Sequence, residues 1–319
     1  MKPTEESKLR KEYVKKAVEK TDLLDSLAND MNKLFGADTV SRYNPDTEKD
    51  LSQGCYSTGF QPIDDLITGE TDESGATVPG TGKGFPKGRV VEVFGPESAG
   101  KSSMALMVVA DCQNKGGVAA YIDAEHALDF DYAASLGVKV ADMLVCQPDA
   151  GEDALELIKQ LIKRKVDVIV LDSVAALVPR KELEAAEGDK VQPGTQARMM
   201  SQALKRITVL LKKGGPLVVF INQIRYKIGV MFGNPEVTSG GNALKFYSSV
   251  RCDLRIVKRI KDGPRTVGVC IRARTVKNKV ASPFRETFYF IIFNKGIVIP
   301  SKSEVNALFK KTSEKEGDD

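Results

Sequence analysis

The sequence predicts an α/β protein with a mostly parallel central sheet flanked by helices. Continuous apolar runs, typical of strands buried on both faces, alternate with stretches of helical period. The runs are Val90–Phe94, Val118–Ile122, Met143–Cys146, Val166–Leu171 and Leu217–Ile221. The helical stretches are Lys101–Asn114, Glu152–Arg164 and Thr195–Lys212. This alternation favours strands joined by crossover helices, with both faces of the sheet covered.

Three further β-prone runs follow the alternating part. They are Val250–Val257, Val267–Val276 and Phe288–Phe293, and the Asp262-Gly263 pair separates the first two. Asp-Gly is a common hairpin turn, so we expect these strands to extend the sheet as antiparallel hairpins.

The N-terminal segment is predicted to be helical from Thr4 to Phe35. Leu23, Leu27 and Met31 follow a spacing of four, and Leu34 or Phe35 continues the same face. That stripe can pack on its own domain or on another subunit, and the pattern leaves both open. After the helix, the short β-prone run at 39–43 is predicted to be a strand. The stretch at 68–88 is rich in Gly, Pro, Ser and Thr and predicts a surface loop.

Composition places the chain among ordinary soluble proteins. It has 319 residues, 42% hydrophobic and 28% charged, with a net charge of +4, so a nucleic-acid surface would have to be local. Five scattered cysteines and a single histidine, His126, argue against a zinc site or a Ser-His-Asp triad. With no apolar N-terminal signal and no run long enough to span a bilayer, we expect a cytoplasmic protein.

The stretch GPESAGKS, Gly95 to Ser102, fits the phosphate-binding pattern GxxxxGK[ST] between a strand and a helix. Backbone N–H groups of such a loop and the positive end of the helix bind phosphate oxygens. Lys101 is expected to reach the β- and γ-phosphates of ATP, and the Ser102 hydroxyl to ligate Mg²⁺. The alternative is a glycine-rich turn without nucleotide. The predicted nucleotide contacts span Gly95, Pro96, Glu97, Ser98, Ala99, Gly100, Lys101, Ser102 and Ser103.

Two acidic positions are expected beside this loop. Asp172 ends an apolar strand, where a carboxylate can hold Mg²⁺ directly or through water. Glu125, in YIDAEHALD, is the predicted base or water-positioning group. The alternative for Glu125 is one acid among several at a helix N-terminus.

Together the motifs resemble the bacterial RecA recombinase family. They include GPESAGKSS, YIDAEHALD, VIVLDSVAALVPRKELE, ARMMSQALKR, FINQIRYKIGVMFGNPEVTSGGNALKFYSSVR and VKNKVASPF. The resemblance runs from about Cys55 to about Gly296. It implies an ATPase that forms helical homo-oligomers on single-stranded DNA, pairs it with homologous duplex DNA and exchanges strands. That role belongs to recombinational repair and the SOS response to DNA damage, and single-strand-binding and loading proteins are partners it would allow.

The resemblance also implies roles for individual residues around ATP. Glu125 resembles the catalytic glutamate, Asp172 the Walker-B aspartate, and Gln223 the γ-phosphate sensor that begins the second DNA-binding loop. Asp129 and Tyr132 match residues beside adenine. Lys277 and Lys279 match lysines that reach the ATP of a neighbouring subunit, and Lys245 with Phe246 matches that interface.

The DNA-binding residues are likewise implied by the resemblance. Arg198, Ser201 and Lys205 share one helix face, which alone fits a solvated surface equally well. The expected contacts also include Arg225, Lys227, Ile228, Val230, Met231, Phe232, Gly240, Gly241 and Asn242. Phosphate contacts of this kind give sequence-independent, salt-dependent binding. The apolar members of the loop are suited to wedge between bases of a stretched strand.

The chain departs from the family pattern in four places. The expected first DNA-binding loop, 181–194, carries Pro193 where methionine is common, and the 68–88 segment is longer than usual. Proline at 300 stands where a tyrosine would stack on adenine. The family's C-terminal domain has no counterpart, which predicts a short form, virus-encoded or divergent.

The predicted organisation has three parts: an N-terminal helix and strand for subunit packing at 1–51, the ATPase and DNA-binding core at 52–300, and a short acidic tail at 301–319. Two other functions stay open on this fold, a ring-forming helicase or DNA-loading ATPase and a non-hydrolysing accessory protein.

Overall fold

The computed structural model describes residues 5–36, 39–40, 54–186, 192, 194–211, 215–226, 229, 233, 235–292 and 296–298. The chain divides into two units, Met1–Leu51 and Ser52–Asp319. No helix in these described ranges is long and apolar enough to cross a membrane.

The first unit contains one long helix, α1 (Glu5–Phe35), as the leucine spacing predicts. Its stripe is exposed, with Leu23 at 60% and Leu34 at 72% of full accessibility. The strand predicted at 39–43 is wrong for its two described residues, Thr39 and Val40, which form a bend. The amide of Asn32 bonds both the N–H and the carbonyl of Val40, each at 2.8 Å, and thereby satisfies the groups that a strand partner would take.

The strands of the second unit follow the apolar runs closely. They are β1 (Cys55–Tyr56), β2 (Phe85–Pro86), β3 (Val90–Gly95), β4 (Ala119–Asp123), β5 (Met143–Cys146), β6 (Val168–Asp172), β7 (Leu217–Tyr226), β8 (Glu236–Thr238), β9 (Val250–Asp262), β10 (Arg265–Asn278), β11 (Glu286–Ile292) and β12 (Gly296–Val298).

Helices lie between these strands, and three of them match the helical stretches predicted at 101–114, 152–164 and 195–212. They are α2 (Gln61–Thr68), α3 (Lys101–Asn114), α4 (Phe130–Ser135), α5 (Gly151–Lys163), α6 (Arg180–Leu183), α7 (Thr195–Leu210) and α8 (Ala243–Tyr247).

The central sheet has the order β12-β11-β10-β9-β3-β7-β6-β4-β5, with β8 paired to β7 beside this path. The strands from β9 to β5 in this order run parallel, and β9 to β12 form the expected antiparallel hairpins. Gly263 takes a φ of 58° in the Asp262-Gly263 turn, a conformation that costs glycine little. The predicted mostly parallel α/β fold is confirmed.

Alternate residues of each central strand enter two separate cores. Val91 and Val93 of β3 pack in the core that contains Met104 and Val108 of α3. On the opposite face, Val218 and Phe220 of β7 pack with residues of α5 and α7, including Ile158 and Leu204. Burial of the strands on both faces explains their continuous apolar runs.

The 68–88 segment, predicted to be a surface loop, ends in β2, whose Phe85 is fully buried in the core, and polar contacts order the exposed part before it. The Asp65 carboxylate accepts hydrogen bonds from the N–H groups of Gly80 at 2.9 Å and Gly82 at 2.7 Å. The Arg285 guanidinium donates to the carbonyl of Gly69 at 2.7 Å and to Thr71 Oγ1 at 3.3 Å. The segment therefore folds back on α2 and on the turn between β10 and β11.

Replacement of Asp65 by alanine is expected to release this segment. The buried N–H of Gly82 would lose its acceptor, which costs roughly 1–3 kcal/mol, and the exposed Gly80 would lose its tie to α2. Limited proteolysis of residues 70–84 and the thermal unfolding midpoint would measure the effect. Asp72→Ala is the matched control, because the Asp72 carboxylate bonds only within the tip of the segment, to Ser74 and to the N–H of Ala76. Equal protease sensitivity of the two variants would contradict the anchoring role of Asp65.

Candidate ATP site and DNA-binding face

The phosphate loop lies where β3 ends and α3 begins. Ser98 and Gly100 have φ values of 60° and 79°, so the backbone turns sharply just before the helix. The N-terminus of α3 has no side-chain cap among the described residues. Its first-turn N–H groups are therefore available to an anion, and the helix dipole favours negative charge there. The predicted stretch from Gly95 to Ser103 thus has the geometry of a phosphate-binding loop.

Lys101 is buried in this loop. Its ammonium donates to the Pro96 carbonyl at 2.7 Å. Burial lowers the pKa of Lys101 from its ordinary value, while Asp172, Glu125 and Glu97 act in the opposite direction. A buried cation with only one carbonyl partner in the described structure is well suited to receive phosphate oxygens.

Ser102 and Asp172 meet at the carboxyl edge of the sheet. Ser102 Oγ donates to Asp172 Oδ2 at 2.6 Å, and the Tyr121 hydroxyl donates to the same oxygen at 2.6 Å. Burial raises the pKa of the Asp172 carboxyl, which the two hydrogen bonds oppose. A hydroxyl and a carboxylate side by side are the oxygen donors that Mg²⁺ prefers beside nucleotide phosphates, so the pair fits the metal.

Glu125 lies between two groups from neighbouring strands. Its Oε1 accepts from Gln223 Nε2 at 3.1 Å and from the Ser173 hydroxyl. The cap of α4 is Asp129, which accepts from the N–H of Tyr132 at 2.9 Å. Glu125 instead turns its carboxylate toward the sheet edge that carries the phosphate loop.

Tyr132 lies beside the phosphate-loop helix, and Asp129 caps α4 three residues earlier. The Tyr132 hydroxyl and Ser103 Oγ are 2.7 Å apart, close enough for a hydrogen bond. The contact of both residues with adenine stays a prediction.

The predicted DNA-binding residues of α7 and the glycines after β8 come together. Arg198, Ser201 and Lys205 are exposed on α7. Gly240 and Gly241 have φ values of 78° and 74°, and a Cβ at Gly241 would lie 2.7 Å from that of Ala197 on α7. The Gly240 N–H also donates to Gln196 Oε1 at 3.1 Å. Only glycine permits this close approach, and exposed Asn242 follows directly.

Lys245, Lys277 and Lys279 do not join the phosphate loop of their own subunit. Lys277 donates to the carbonyls of Lys245 and Phe246 at 2.6 and 2.9 Å. The Lys279 N–H bonds the Ser249 carbonyl, and the Ser249 N–H bonds Val90 at the start of β3. The loop begins at the other end of that strand, roughly 16 Å away at 3.3 Å per residue.

Several sequence predictions fall outside the described residues. These are Lys227, Ile228, Val230, Met231 and Phe232 of the second DNA loop, together with Pro193 and residues 299–319. Arg225 is described and is exposed at the end of β7. Two site residues escaped the sequence analysis, Tyr121 and Ser173. Ser173 follows the predicted Asp172 in the chain, and Tyr121 lies on the strand that pairs with β6. Either position is only a weak sequence signal for a site residue.

Comparison with known proteins agrees with this geometry. The family model of the RecA N-terminal domain matches residues 24–298. Protein RecA of Bordetella pertussis (strain Tohama I) is 49% identical over 282 residues, covering 88% of this chain and 76% of that relative. Protein RecA of Legionella pneumophila is 49% identical over 280 residues, covering 87% and 76%.

A solved structure supports the fold independently. The crystal structure of the RadB recombinase superimposes with a TM-score of 0.54 at 17% identity, covering 77% of this chain and all of that one. At such low identity the likeness shows the fold alone, whereas the family match and the 49% identity identify the family. The chain belongs to the RecA family.

Proposed function

We propose that this chain is an ATP-dependent DNA recombinase, which forms filaments on single-stranded DNA and catalyses homologous pairing and strand exchange in recombinational repair. The observation that carries the proposal is the hydrogen bond between Glu125 and Gln223. It joins the carboxylate of the ATP site to the first residue of the segment that leads to the DNA-binding face. The same bond offers a route from DNA binding to ATP hydrolysis.

The residues of the site divide the work of hydrolysis. Lys101 and the N–H groups of the loop would bind and orient the phosphates. Glu125 would hold the attacking water and take its proton at Oε1. Ser102 and Asp172 would hold Mg²⁺, which neutralises charge on the phosphates when it is bound.

The lysines that lie away from the phosphate loop of their own subunit support a filament. Lys277 bonds the carbonyls of α8, and Lys279 is tied to the start of β3, away from their own phosphate loop. Their charge would therefore act on the ATP of a neighbouring subunit, as would the interface residue Lys245. A cation supplied by a second subunit links hydrolysis to assembly. The exposed stripe of α1 is the proposed packing surface for such a neighbour.

The DNA path would follow the exposed face of α7 and the segment after Gln223. Arg198, Lys205 and Arg225 supply positive charge. At Gly240 and Gly241, which have no side chain, the DNA backbone could approach the protein backbone closely. Homology is then read by base pairing between strands rather than by contacts to base edges. Single-strand-binding and loading proteins are further candidate partners, and this role would place the chain in the cytoplasm.

The test is filament formation on single-stranded DNA with ATPγS, followed by joint-molecule formation with a homologous duplex. Electron microscopy should show open helical filaments, and strand exchange should require homology. Closed hexameric rings without joint molecules would favour a helicase or loading ATPase instead. ATP binding without any DNA filament would contradict the proposal.

A further inference from the structure

Three polar side chains form a buried chain across neighbouring strands. Glu92 on β3 accepts from Arg251 Nε on β9 at 2.5 Å and from Asn222 Nδ2 on β7 at 2.9 Å. Glu92 and Asn222 have no exposed surface, and the Arg251 side chain keeps 11%. The Arg251 guanidinium also lies 4.6 Å from the centre of the Phe94 ring. These residues, Arg251, Glu92 and Asn222, are called the buried network below.

Stability alone does not account for the buried network. The surrounding face of the sheet is apolar, with Val90 and Val218 in the same core. Burying an ion pair costs desolvation, and apolar residues of similar volume often serve equally well at such positions. What an ion pair and its hydrogen bonds do fix is the orientation of each group.

The group that is oriented here is the Asn222 side chain. Its Oδ1 accepts from the Gln223 N–H at 2.9 Å, and its Nδ2 donates to the Ser239 carbonyl at 3.0 Å. Gln223 begins and Ser239 ends the segment that carries the second DNA loop. The amide of Asn222 therefore bonds both ends of the loop, and its hydrogen bond to Glu92 favours this orientation.

The two ends lead to different ligands. The Gln223 side chain bonds Glu125 at the ATP site. Ser239 is followed by Gly240, whose N–H bonds Gln196 of the helix with the predicted DNA contacts. A small rotation of the Gln223 backbone would thus be transmitted to Ser239 by the Asn222 amide as well as by the Ser239 N–H, which donates to the Gln223 carbonyl at 3.4 Å.

We propose that Asn222, oriented by Glu92 and Arg251, is a positioning residue that couples the nucleotide state at Gln223 to the DNA grip of the loop. The inference rests on the proposed function. It predicts that, without the contact to Ser239, the ATP-bound protein loses much of its higher affinity for DNA over the ADP-bound protein, while ATP binding itself persists.

An isosteric exchange separates this role from stability. Asn222→Asp alone sets two carboxylates against each other in the core and should lower the unfolding midpoint. Adding Glu92→Gln reverses the hydrogen bond, with the new amide donating to the new carboxylate while its carbonyl still accepts from Arg251. The double variant regains that bond, but the Ser239 carbonyl still lacks a donor.

The double variant is therefore expected to recover most of the thermal stability and to bind ATPγS like the wild type. Its ratio of single-stranded DNA affinity in ATPγS to that in ADP should fall about tenfold, as expected for loss of one buried hydrogen bond. Thr275→Val, which removes a buried hydroxyl on β10, is the matched control and should leave the ratio unchanged.

The outcomes distinguish failure of the proposed recombinase function from failure of the coupling role of Asn222. If the wild type shows no nucleotide-dependent DNA binding, the proposed function fails. If the wild type shows it and the folded double variant keeps the full ratio, the coupling role of Asn222 is overturned. Should the double variant not fold, Asn222→Ala alone decides: it removes the donor to the Ser239 carbonyl while Glu92 keeps its pair with Arg251, and an unchanged ratio there also overturns the inference.

Discussion

Lys101→Ala is expected to abolish ATP-dependent filament formation and strand exchange. The alanine variant loses the buried ammonium proposed to bind the β- and γ-phosphates, and charge-assisted hydrogen bonds of this kind are each worth about 1.5–3 kcal/mol. ATP affinity should therefore fall at least tenfold. Nucleotide binding by fluorescence and joint-molecule assays would measure both effects.

The control for Lys101→Ala is Lys115→Ala at the other end of the same helix. Lys115 pairs with Asp111 at 2.6 Å on the surface, and its side chain is 51% exposed. Its loss should leave ATP affinity and strand exchange unchanged. Strand exchange at the wild-type rate in the Lys101 variant would refute the phosphate site.

The Lys101 site also predicts a pH dependence. Burial lowers the pKa of Lys101 in the free protein, and phosphate binds the protonated form. Binding is therefore fully supported below that lowered pKa and is lost as the pH rises through it. ATP affinity should weaken at an alkaline pH where an ordinary lysine is still charged. The Lys101→Ala variant should not show this fall in affinity with pH.

Sequence patterns predicted the sheet because they report local physics. Leu217–Ile221 is apolar throughout and Val90–Phe94 is apolar except for Glu92, and both prove to be strands buried on two faces. The bend at Val40 was missed because the Asn32 amide, eight residues earlier, takes both backbone groups of Val40. The order of the 68–88 segment was missed for a similar reason, since its anchor Arg285 lies some two hundred positions away along the chain.

In the site, too, sequence patterns predicted the local features and missed those that depend on contacts between distant residues. The phosphate loop and Asp172 were predicted because each is a local pattern at the end of a strand. Tyr121 and Ser173 were not, because their hydroxyl contacts arise only when β4 and β6 pair side by side. Glu92 and Asn222 read as ordinary strand residues until the register of β3, β7 and β9 brings them together with Arg251.

Glu125→Gln is expected to separate ATP binding from hydrolysis. Glutamine retains an oxygen that can accept from Ser173 or Gln223, so the local contacts survive in part. It cannot take the proton of the attacking water, and loss of a general base lowers the rate by about 10²–10⁴-fold. The variant should still form filaments with ATP, and these should persist because the nucleotide is not turned over.

Phosphate release in the presence of single-stranded DNA and filament lifetime by light scattering would test the role of Glu125 together. Asp131→Asn, an exposed acid in the first turn of α4, is the matched control and should hydrolyse ATP normally. A Glu125→Gln rate within a few fold of wild type would show that another group activates the water. In that event Glu125 would keep only its hydrogen bond to Gln223, and ATP hydrolysis would have to be coupled to the DNA loop by a different residue.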